Sequence, residues 1–301
     1  MKNSKITISI IIPNLHSTFI HHTLQALQIQ TFDLSQVEVL VVGLDGSGLV
    51  QENDLVKLIS TGKPVNPAVA RNIGLKSAQG DIICFTDADC LPAKNWLKNL
   101  TAKFTEEGVK VVGGGVAFAT NNYWTWCDNL SWFHEFLATT PSGQRDLLPS
   151  LNLAIHRSII QQVGYFNENY PRAAGEDADW TVRMRLAGLT LHFVPQAIIT
   201  HCPSRSTLID IWRHGFIYGQ YSTKINPAYA SLLKPPILLK KWPLLTLATP
   251  LLAPWITLKI LLKLTNPLKN WLTFPGILIS KIAWCFGAIN TLKKQNERNT
   301  K

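Results

Sequence analysis

The sequence predicts an α/β fold in which helices cover both faces of a mostly parallel sheet. Its first half alternates short apolar runs with segments whose apolar residues recur at helical spacing. The apolar runs are Ile6–Ile12, Val37–Val42 and Asp81–Thr86, and each ends at a turn-forming or acidic residue. This alternation is typical of β-α-β units, in which ligands bind beyond the carboxyl ends of the strands.

Further elements follow from the same patterns. We expect helices at Ser17–Gln30, Leu49–Ile59, Pro67–Ser77, Lys94–Phe104, Glu176–Leu186 and Thr207–Ser222. We expect strands at Lys110–Phe118, Ser150–Ile155 and Leu189–Pro195. Five scattered cysteines without a C-x-x-C spacing argue against a disulfide framework or a zinc knuckle, and favour a reducing compartment.

The net charge of +10 is concentrated near the carboxyl end of the chain. Residues 1–210 carry 16 Lys and Arg against 18 Asp and Glu, whereas residues 211–296 carry 11 Lys and Arg and no acid. The basic residues of that segment lie among Leu, Ile and Trp rather than on a polar face, which disfavours nucleic acid as the partner.

Two segments of this tail are apolar enough to interact with a membrane. Trp242–Leu262 and Trp271–Leu292 each contain one charged residue and are long enough to cross a bilayer. Lysines flank both segments on every side, including Lys240, Lys263 and Lys269, so no inside–outside asymmetry appears. A spanning hairpin, helices lying in an anionic headgroup layer and a buried soluble subdomain all remain open.

Acidic residues at the ends of predicted elements are the candidates for chemistry. Asp87-Ala88-Asp89 follows a strand, where two carboxylates suit a divalent cation, or simply cap a turn. Glu176 and Asp177 open a helix, where a carboxylate suits general-base catalysis, or simply complements the helix dipole. Arg71 suits a diphosphate or a solvated helix surface, and His201 suits a metal or a structural hydrogen bond.

The order of these motifs resembles the family 2 glycosyltransferases, which have the GT-A fold. The resemblance runs from about Ile6 to Ser222. The pieces that carry it are "SIIIPN", "VEVLVVGLDGS", "AVARNIGLKSAQGDIICFTDADC", "LNLAIHRSIIQQVGYFNE", "GEDADWTVRMRLAG" and "VPQAIITHCPSRS". It implies a Rossmann-like mixed sheet flanked by helices and followed by a hydrophobic, basic helical segment. It also implies transfer from a nucleotide-sugar donor with inversion at the anomeric carbon.

The resemblance assigns roles residue by residue. Pro13, Asn14 and Asp45 would line the nucleotide pocket, Arg71 would lie near the donor phosphates, and Asp87 would contact the ribose or sugar. Asp89 would bind Mn²⁺ or Mg²⁺, with His201 as a later metal or diphosphate contact. Asp177, beside Glu176, would be the base, and its place at a helix N-terminus favours a depressed pKa.

The chain departs from the family pattern at two places. The family often has paired acids after the second strand, whereas Gly43-Leu44-Asp45 supplies one, which leaves the choice of nucleotide open. The Gln-x-x-Arg-Trp signature of processive synthases is absent, which favours the transfer of single residues by a hexosyltransferase.

The expected organisation has two parts. Residues 1–225 would form the catalytic domain, with a nucleotide-sugar half at 1–118 and an acceptor half at 119–225, and residues 226–301 would form a membrane-associating tail. The enzyme would act at the cytoplasmic face of the cell membrane, in surface-polysaccharide or glycolipid synthesis. Its contact with the membrane surface would lie within residues 234–294, and its acceptor would be a saccharide or a lipid-linked precursor.

Two rival functions remain. A nucleotidyltransferase shares a related sheet and metal requirement, but usually has a Gly-rich basic loop after the first strand, and Pro13-Asn14-Leu15-His16 offers none. A non-catalytic membrane adaptor on a degenerate transferase fold is disfavoured, because all four acids of the two motifs are present.

Overall fold

The structure, a computed structural model, describes residues 7–119, 122–265 and 270–299. Compactness divides the chain into two units: residues 1–117 with 136–202, and residues 118–135 with 203–301. The expected division by function, at residue 225, stays a prediction. Ile6 and Lys269, which belong to segments singled out in the sequence, lie outside the described residues.

Unit 1 is built on a nine-stranded mixed sheet with the order β3-β2-β1-β4-β8-β6-β9-β5, and β7 pairs with β9. The strands are β1 (Ile8–Leu15), β2 (Val37–Leu44), β3 (Val56–Ser60), β4 (Ile82–Thr86), β5 (Cys90–Pro92), β6 (Val111–Phe118), β7 (Gly143–Gln144), β8 (Asn152–His156) and β9 (His192–His201). The first three strands and β4 pair in parallel, whereas the pairs that involve β5, β7 and β8 are antiparallel. The predicted α/β class with a mixed sheet is confirmed, whereas the expectation of a mostly parallel sheet holds only for the strands β1 to β4.

Helices flank this sheet. They are α1 (Ile20–Gln28), α2 (Pro67–Ser77), α3 (Trp96–Ala102), α5 (Ile159–Val163) and α6 (Glu176–Leu186). The start of α2 follows from its sequence, because the Asn66 side chain accepts a hydrogen bond from the Val69 amide and Pro67 occupies the first turn. The bounds of α2 and α6 match those predicted from the sequence.

The helix expected at Leu49–Ile59 is wrong. In its place lies a loop that leads into the edge strand β3, which pairs in parallel with β2. Two side-chain oxygens accept hydrogen bonds from three amides of this segment: Asp45 Oδ2 accepts from Val50, and Asn53 Oδ1 from Leu55 and Val56. Capping by these short polar side chains competes with helix formation, and pairing with β2 then decides the outcome.

Unit 2 is helical in its described residues. It contains α4 (Tyr123–Phe133), α7 (Leu208–Gln220), the short α8 (Ala230–Leu233), α9 (Trp242–Leu262) and α10 (Phe274–Asn299). A capping box formed by Thr207 and Asp210 starts α7. The two apolar helices expected in the tail are therefore present, and α10 packs against both α7 and α9.

A buried polar network joins α4 to α7. Asp128 of α4 is 1% exposed, and it accepts hydrogen bonds from Arg205 Nε at 2.8 Å and from His214 Nδ1 at 2.7 Å. Burial raises the pKa of this carboxyl, but the charges and hydrogen bonds of His214 and Arg205 outweigh burial and hold the pKa below its ordinary value. The network fixes how the helices of unit 2 pack.

Candidate active site

The first part of the site lies where β1 and β2 end side by side. Asn14 is buried near the end of β1, its side-chain amide donates to the Leu44 carbonyl at 3.0 Å, and its oxygen accepts from the Ser17 amide. Pro13 precedes it and pairs with Val42 of β2. Asn14 thus links the carboxyl end of β1 to that of β2, the edge of the sheet at which a ligand is expected to bind.

Asp45 follows directly after β2 and orders the loop there. Its carboxylate accepts hydrogen bonds from the Val50 amide at 2.8 Å and the Ser47 hydroxyl at 3.0 Å. His16, which sequence reasoning missed, has a left-handed backbone (φ 54°), and its Nδ1 accepts from the Gly46 amide at 2.8 Å. No pattern in the sequence signals this contact, because it depends on the juxtaposition of two loops.

Arg71 of α2 connects two acidic motifs. Its Nη2 lies 2.8 Å from Asp87 Oδ1, and its Nη1 lies 2.8 Å from Glu176 Oε1. The guanidinium is buried, with 3% of the side chain exposed, and it stands 5.6 Å from the centre of the Phe166 ring. The expected contact of Arg71 with the donor phosphates stays a prediction, since both amino groups already bind carboxylates in this structure.

Asn72, the next residue of α2, positions the chain that leads to α6. Its side chain accepts from the Phe166 amide and donates to the Phe166 carbonyl and to Glu168 Oε1, at 2.8–2.9 Å. Phe166 in turn packs against Trp180 of α6, with ring centroids 4.0 Å apart. The Ala-Arg-Asn segment therefore has two roles: Arg71 binds the acids, and Asn72 holds the chain that leads to α6. The sequence analysis identified only the role of Arg71.

The second acid of the Asp-x-Asp motif lies beside His201. Cys90 pairs with His201 across the β5–β9 ladder, which sets Asp89 Oδ2 3.7 Å from His201 Nε2. The Cys202 amide also donates to the Asp89 carbonyl at 2.8 Å. His201 is buried, whereas about one third of the Asp89 side chain is exposed. A strand pairing between residues 111 positions apart thus creates the contact.

These two residues fit a cation that brings its own ligands. Among the described residues, no three His, Cys, Asp or Glu side chains form a group that could hold a metal ion. Mg²⁺ usually takes one or two carboxylates from a protein and completes its coordination with substrate phosphates and water. Asp89 with His201 suits a cation of this kind, carried by a diphosphate, better than a closed protein site.

Asp177 stands at the start of α6, next to the acid that binds Arg71. Its Oδ2 accepts from the Ser150 amide at 3.1 Å, and its Oδ1 from the Ala178 amide at 2.7 Å. Gly175, with a φ of 87°, turns the chain into the helix. Both carboxylate oxygens of Asp177 are thus held by backbone amides, which fixes the orientation of the group.

The electrostatics of the two α6 acids reverse one expectation. Burial, with the charge of Asp177, raises the pKa of Glu176 to about 7 against the opposing effect of Arg71. Burial likewise raises the pKa of Asp177, although Arg71 and two backbone amides oppose the rise. The depressed pKa expected from the helix N-terminus is therefore wrong, because desolvation outweighs the helix dipole and the hydrogen bonds.

The structure thus gathers the predicted residues into three groups in unit 1. Asn14 and Asp45 order adjoining strand ends, Arg71 joins Asp87 to Glu176, and Asp89 lies beside His201. Acids at the end of a sheet strand and at the start of α6 meet through one buried guanidinium. A GT-A-type mixed sheet with acids at these places is typical of the glycosyltransferases.

Comparison with known proteins places the chain within this class. Residues 9–164 match the sequence profile of glycosyl transferase family 2, and the chain belongs to that family. It is 29% identical over 207 residues to glycosyltransferase AglE of Haloferax volcanii, covering 66% of this chain and 67% of the relative. It is 25% identical over 233 residues to the pre-mycofactocin glycosyltransferase of Mycobacterium tuberculosis, covering 72% of this chain and 49% of the relative.

Solved structures share the fold. The mannosyltransferase PcManGT of Pyrobaculum calidifontis, in complex with GDP-Man and Mn²⁺, superposes with a TM-score of 0.62 at 19% identity, covering 97% of this chain and 88% of that one. GalNAc-T7, with UDP, GalNAc and Mn²⁺, gives a TM-score of 0.54 at 15% identity and covers 76% of this chain. The chain spans about half the length of GalNAc-T7 and of the mycobacterial relative.

Proposed function

We propose that this chain is a metal-dependent, inverting hexosyltransferase that moves a sugar from a nucleoside-diphosphate donor to a hydroxyl acceptor. The observation that carries the proposal is the bridge from Asp87 through Arg71 to Glu176, beside Asp177. It joins the acids after a sheet strand to the acids of α6. A donor bound at the strand ends and an acceptor activated at α6 would then meet in one place.

In the proposed reaction, the acceptor oxygen attacks the anomeric carbon as its proton passes to the Asp177 carboxylate. A bond forms between that oxygen and the carbon, and the bond from the carbon to the diphosphate oxygen breaks. The electron pair of the broken bond leaves with the nucleoside diphosphate. The raised pKa of Asp177 favours this role, because a base of higher pKa accepts a proton more readily once it is ionised.

Asp89 and His201 would hold Mn²⁺ or Mg²⁺, and the ion would neutralise charge on the departing diphosphate. Pro13, Asn14 and Asp45 would bind the nucleotide at the adjoining strand ends. The complexes of PcManGT with GDP-Man and Mn²⁺ and of GalNAc-T7 with UDP, GalNAc and Mn²⁺ support this part of the proposal by likeness of fold.

The acceptor is proposed to be lipid-linked, or a precursor of a surface polysaccharide or glycolipid, reached at the cytoplasmic face of the membrane. The acid-free, apolar segment at residues 234–294 supports this location. Two helices in the described part of the chain, Trp242–Leu262 and Trp271–Arg298, are long and apolar enough to cross a membrane.

Donor turnover in Asp177→Asn and Asp89→Asn tests the catalytic proposal. A panel of nucleotide sugars is first scored by thermal shift with Mn²⁺, and release of nucleoside diphosphate is then measured with the donor that binds. Each variant is expected to lose about 10²–10⁴-fold in rate, which is typical of a lost acid–base or charge-stabilising group. Asp146→Asn is the matched control, because Asp146 is exposed and pairs only at the surface with Arg185.

Unchanged turnover in both variants would contradict the assignment. Release of pyrophosphate from a nucleoside triphosphate and a sugar phosphate, with no nucleoside diphosphate released from any nucleotide sugar, would identify a nucleotidyltransferase. Failure of the wild-type chain to bind any nucleoside diphosphate with Mn²⁺ would favour a non-catalytic adaptor.

A further inference from the structure

One face of α9 presents a continuous apolar surface to solvent, which we call the α9 stripe. It consists of Leu244, Leu247, Leu251, Trp255, Leu258 and Leu262. These side chains are 36–80% exposed, and Leu247 and Leu251 are the most exposed of them. With about 100° of rotation per residue, they fall within a band about 80° wide along the whole helix. Exposed apolar patches of this extent mark interaction surfaces.

The opposite face of α9 is already covered by unit 2. Leu245, Thr249, Ala253 and Thr257 are buried there, and α10 packs against α9. The hydroxyls of Thr249 and Thr257 donate to carbonyls one turn earlier, so this face exposes little polarity. A helix that is apolar all round requires an apolar environment on both sides. The chain itself supplies one of them.

The charges around the stripe identify the second environment. Lys240 and Lys241 precede the helix, Lys263 follows it, and Lys259 Nζ lies 5.2 Å from the centre of the Trp255 ring. Basic residues beside Trp and Leu are typical of helices in an anionic headgroup layer. Lys263 is already paired with Glu135 at 2.8 Å, so Lys240, Lys241 and Lys259 are the bases left for this environment. The α9 segment of a second copy would bring the same bases and no acid, because residues 211–296 contain none.

The packing of α10 decides between spanning and lying flat. Lys281, in the middle of α10, is buried by protein: its Nζ donates to the Ser131 carbonyl at 2.7 Å and lies 3.7 Å from the centre of the Trp132 ring. In the most apolar 18-residue stretch of each segment, 56% is buried by the protein in Trp271–Arg298, which contains most of α10, against 33% in α9. The helix α10 is therefore the core of unit 2.

The neighbour of α10 is unsuited to hydrocarbon. The helix α7 packs along α10 and carries an exposed Arg213, a half-buried Asp210 and the His214 that binds Asp128. Were α10 to cross a bilayer, the charges of Arg213 and Asp210 would be drawn to hydrocarbon depth, where each costs several kcal/mol.

We propose that α9 lies in the plane of an anionic phospholipid surface and inserts the α9 stripe into one leaflet, while neither α9 nor α10 crosses the bilayer. The 21-residue helix would then run about 31 Å along the surface. This inference rests on the membrane location in the proposed function and specifies how the chain is held there. It is independent of the sugar-transfer chemistry.

Vesicle flotation tests the surface. The full chain is mixed with phosphatidylcholine vesicles that contain, or lack, the anionic lipid phosphatidylglycerol. Wild type is expected to float with the anionic vesicles, and Leu247→Gln/Leu251→Gln to lose about tenfold or more in partitioning. Ile29→Gln/Leu186→Gln is the control, because it changes two exposed apolar residues in unit 1, which are 63% and 49% exposed.

Depth measurement tests the orientation. A fluorophore is attached to Leu244→Cys, Leu251→Cys or Leu262→Cys in a Cys202→Ser background, since Cys202 is the native cysteine that is not buried. Quenching by lipids brominated at graded depths is expected to place all three at one shallow depth. A spanning helix would place Leu251→Cys near the bilayer centre and the other two near its surfaces, which would overturn the proposal.

The remaining outcomes are distinguishable. If the stripe variant floats as wild type does, or if wild type binds no vesicle but forms a dimer that the variant loses, the proposal is overturned. If nucleotide-sugar turnover is absent while vesicle binding follows the expected pattern, the sugar-transfer assignment fails and this inference stands. Turnover in solution by the stripe variant should equal that of wild type.

Discussion

Arg71 is the residue through which the two acidic motifs interact. Burial opposes its charge, but Asp87, Glu176 and Asp177 outweigh burial and raise its pKa above the ordinary range. Removal of one partner from a buried charged pair is costly, because the remaining charge is left without compensation. The Glu176 Oε2 and the Arg71 Nε have no hydrogen-bond partner among the described residues, so each keeps an unused hydrogen-bonding capacity.

Glu176→Gln should make stability less dependent on pH. The pKa of Glu176 is about 7 in the folded protein and about 4.3 in an unfolded chain, so between these values the folded protein holds a proton that the unfolded chain has released. Wild-type stability should therefore fall as pH rises from about 4.3 to about 7, by up to ~4 kcal/mol, and level off above. Glutamine cannot titrate, which removes this contribution and leaves that of Asp177.

Urea unfolding at a series of pH values measures this difference. Glu106→Gln, at the exposed end of a surface pair with Lys103, is the control and should keep the wild-type slope. Equal slopes in wild type and Glu176→Gln would show that Glu176 is already ionised across the whole range.

At the scale of elements, the predicted helices succeeded where capping and periodicity agreed. The bounds of α2, α6 and α9 match prediction because Asn66, Gly175 and the lysines at either end mark them. The helix predicted at Leu49–Ile59 was wrong because side-chain hydrogen bonds to the backbone, and pairing with the edge of β2, outweighed the helical spacing of its apolar residues. The site was predictable only in part. The positions of the acids follow from the ends of the predicted strands and helices, whereas the burial of Arg71 between two of these acids depends on tertiary packing.

The contact between α7 and α10 rests on glycines. A Cβ built at Gly219 would collide with the Trp284 carbonyl oxygen, and one at Gly287 with that of Phe216. Gly219→Ala should therefore push the helices apart and destabilise the protein by about 1–3 kcal/mol, as overpacking generally does. Thermal unfolding checks this, with Thr246→Ala on the exposed side of α9 as the control, expected within about 0.5 kcal/mol of wild type. An equal effect of both substitutions would mean that the helices adjust without cost.

At the scale of the whole molecule, charge separates along the chain. Residues 1–210 are near neutral, whereas residues 211–296 carry 11 bases and no acid. Vesicle binding and donor turnover should consequently respond differently to salt. The Debye length falls from about 10 Å at 0.1 M to about 3 Å at 1 M, so attraction to anionic lipid weakens steeply.

We expect the bound fraction on anionic vesicles to fall at least severalfold as salt rises from about 0.1 M to about 1 M, since exposed charges are screened over this range. Donor turnover without vesicles should change by less than about twofold, because the buried Arg71 bridge is poorly screened. Flotation and a turnover assay in the same buffers measure both. Parallel loss of the two would indicate that salt acts on the fold rather than on attachment.

The Arg71 bridge also has a consequence for engineering. A chimera that takes the segment from 164 to 186 from a relative, to change acceptor preference, would replace Glu176 while keeping Arg71 and Asp87 from the parent. Unless the segment taken from the relative has an acid in the place of Glu176, Arg71 loses one of its two ion pairs. Asp87, which is held by the same guanidinium, would then shift as well. Exchange of α2 and α6 as a matched pair avoids this fault, so the natural unit of recombination in this enzyme is a pair of helices distant in sequence.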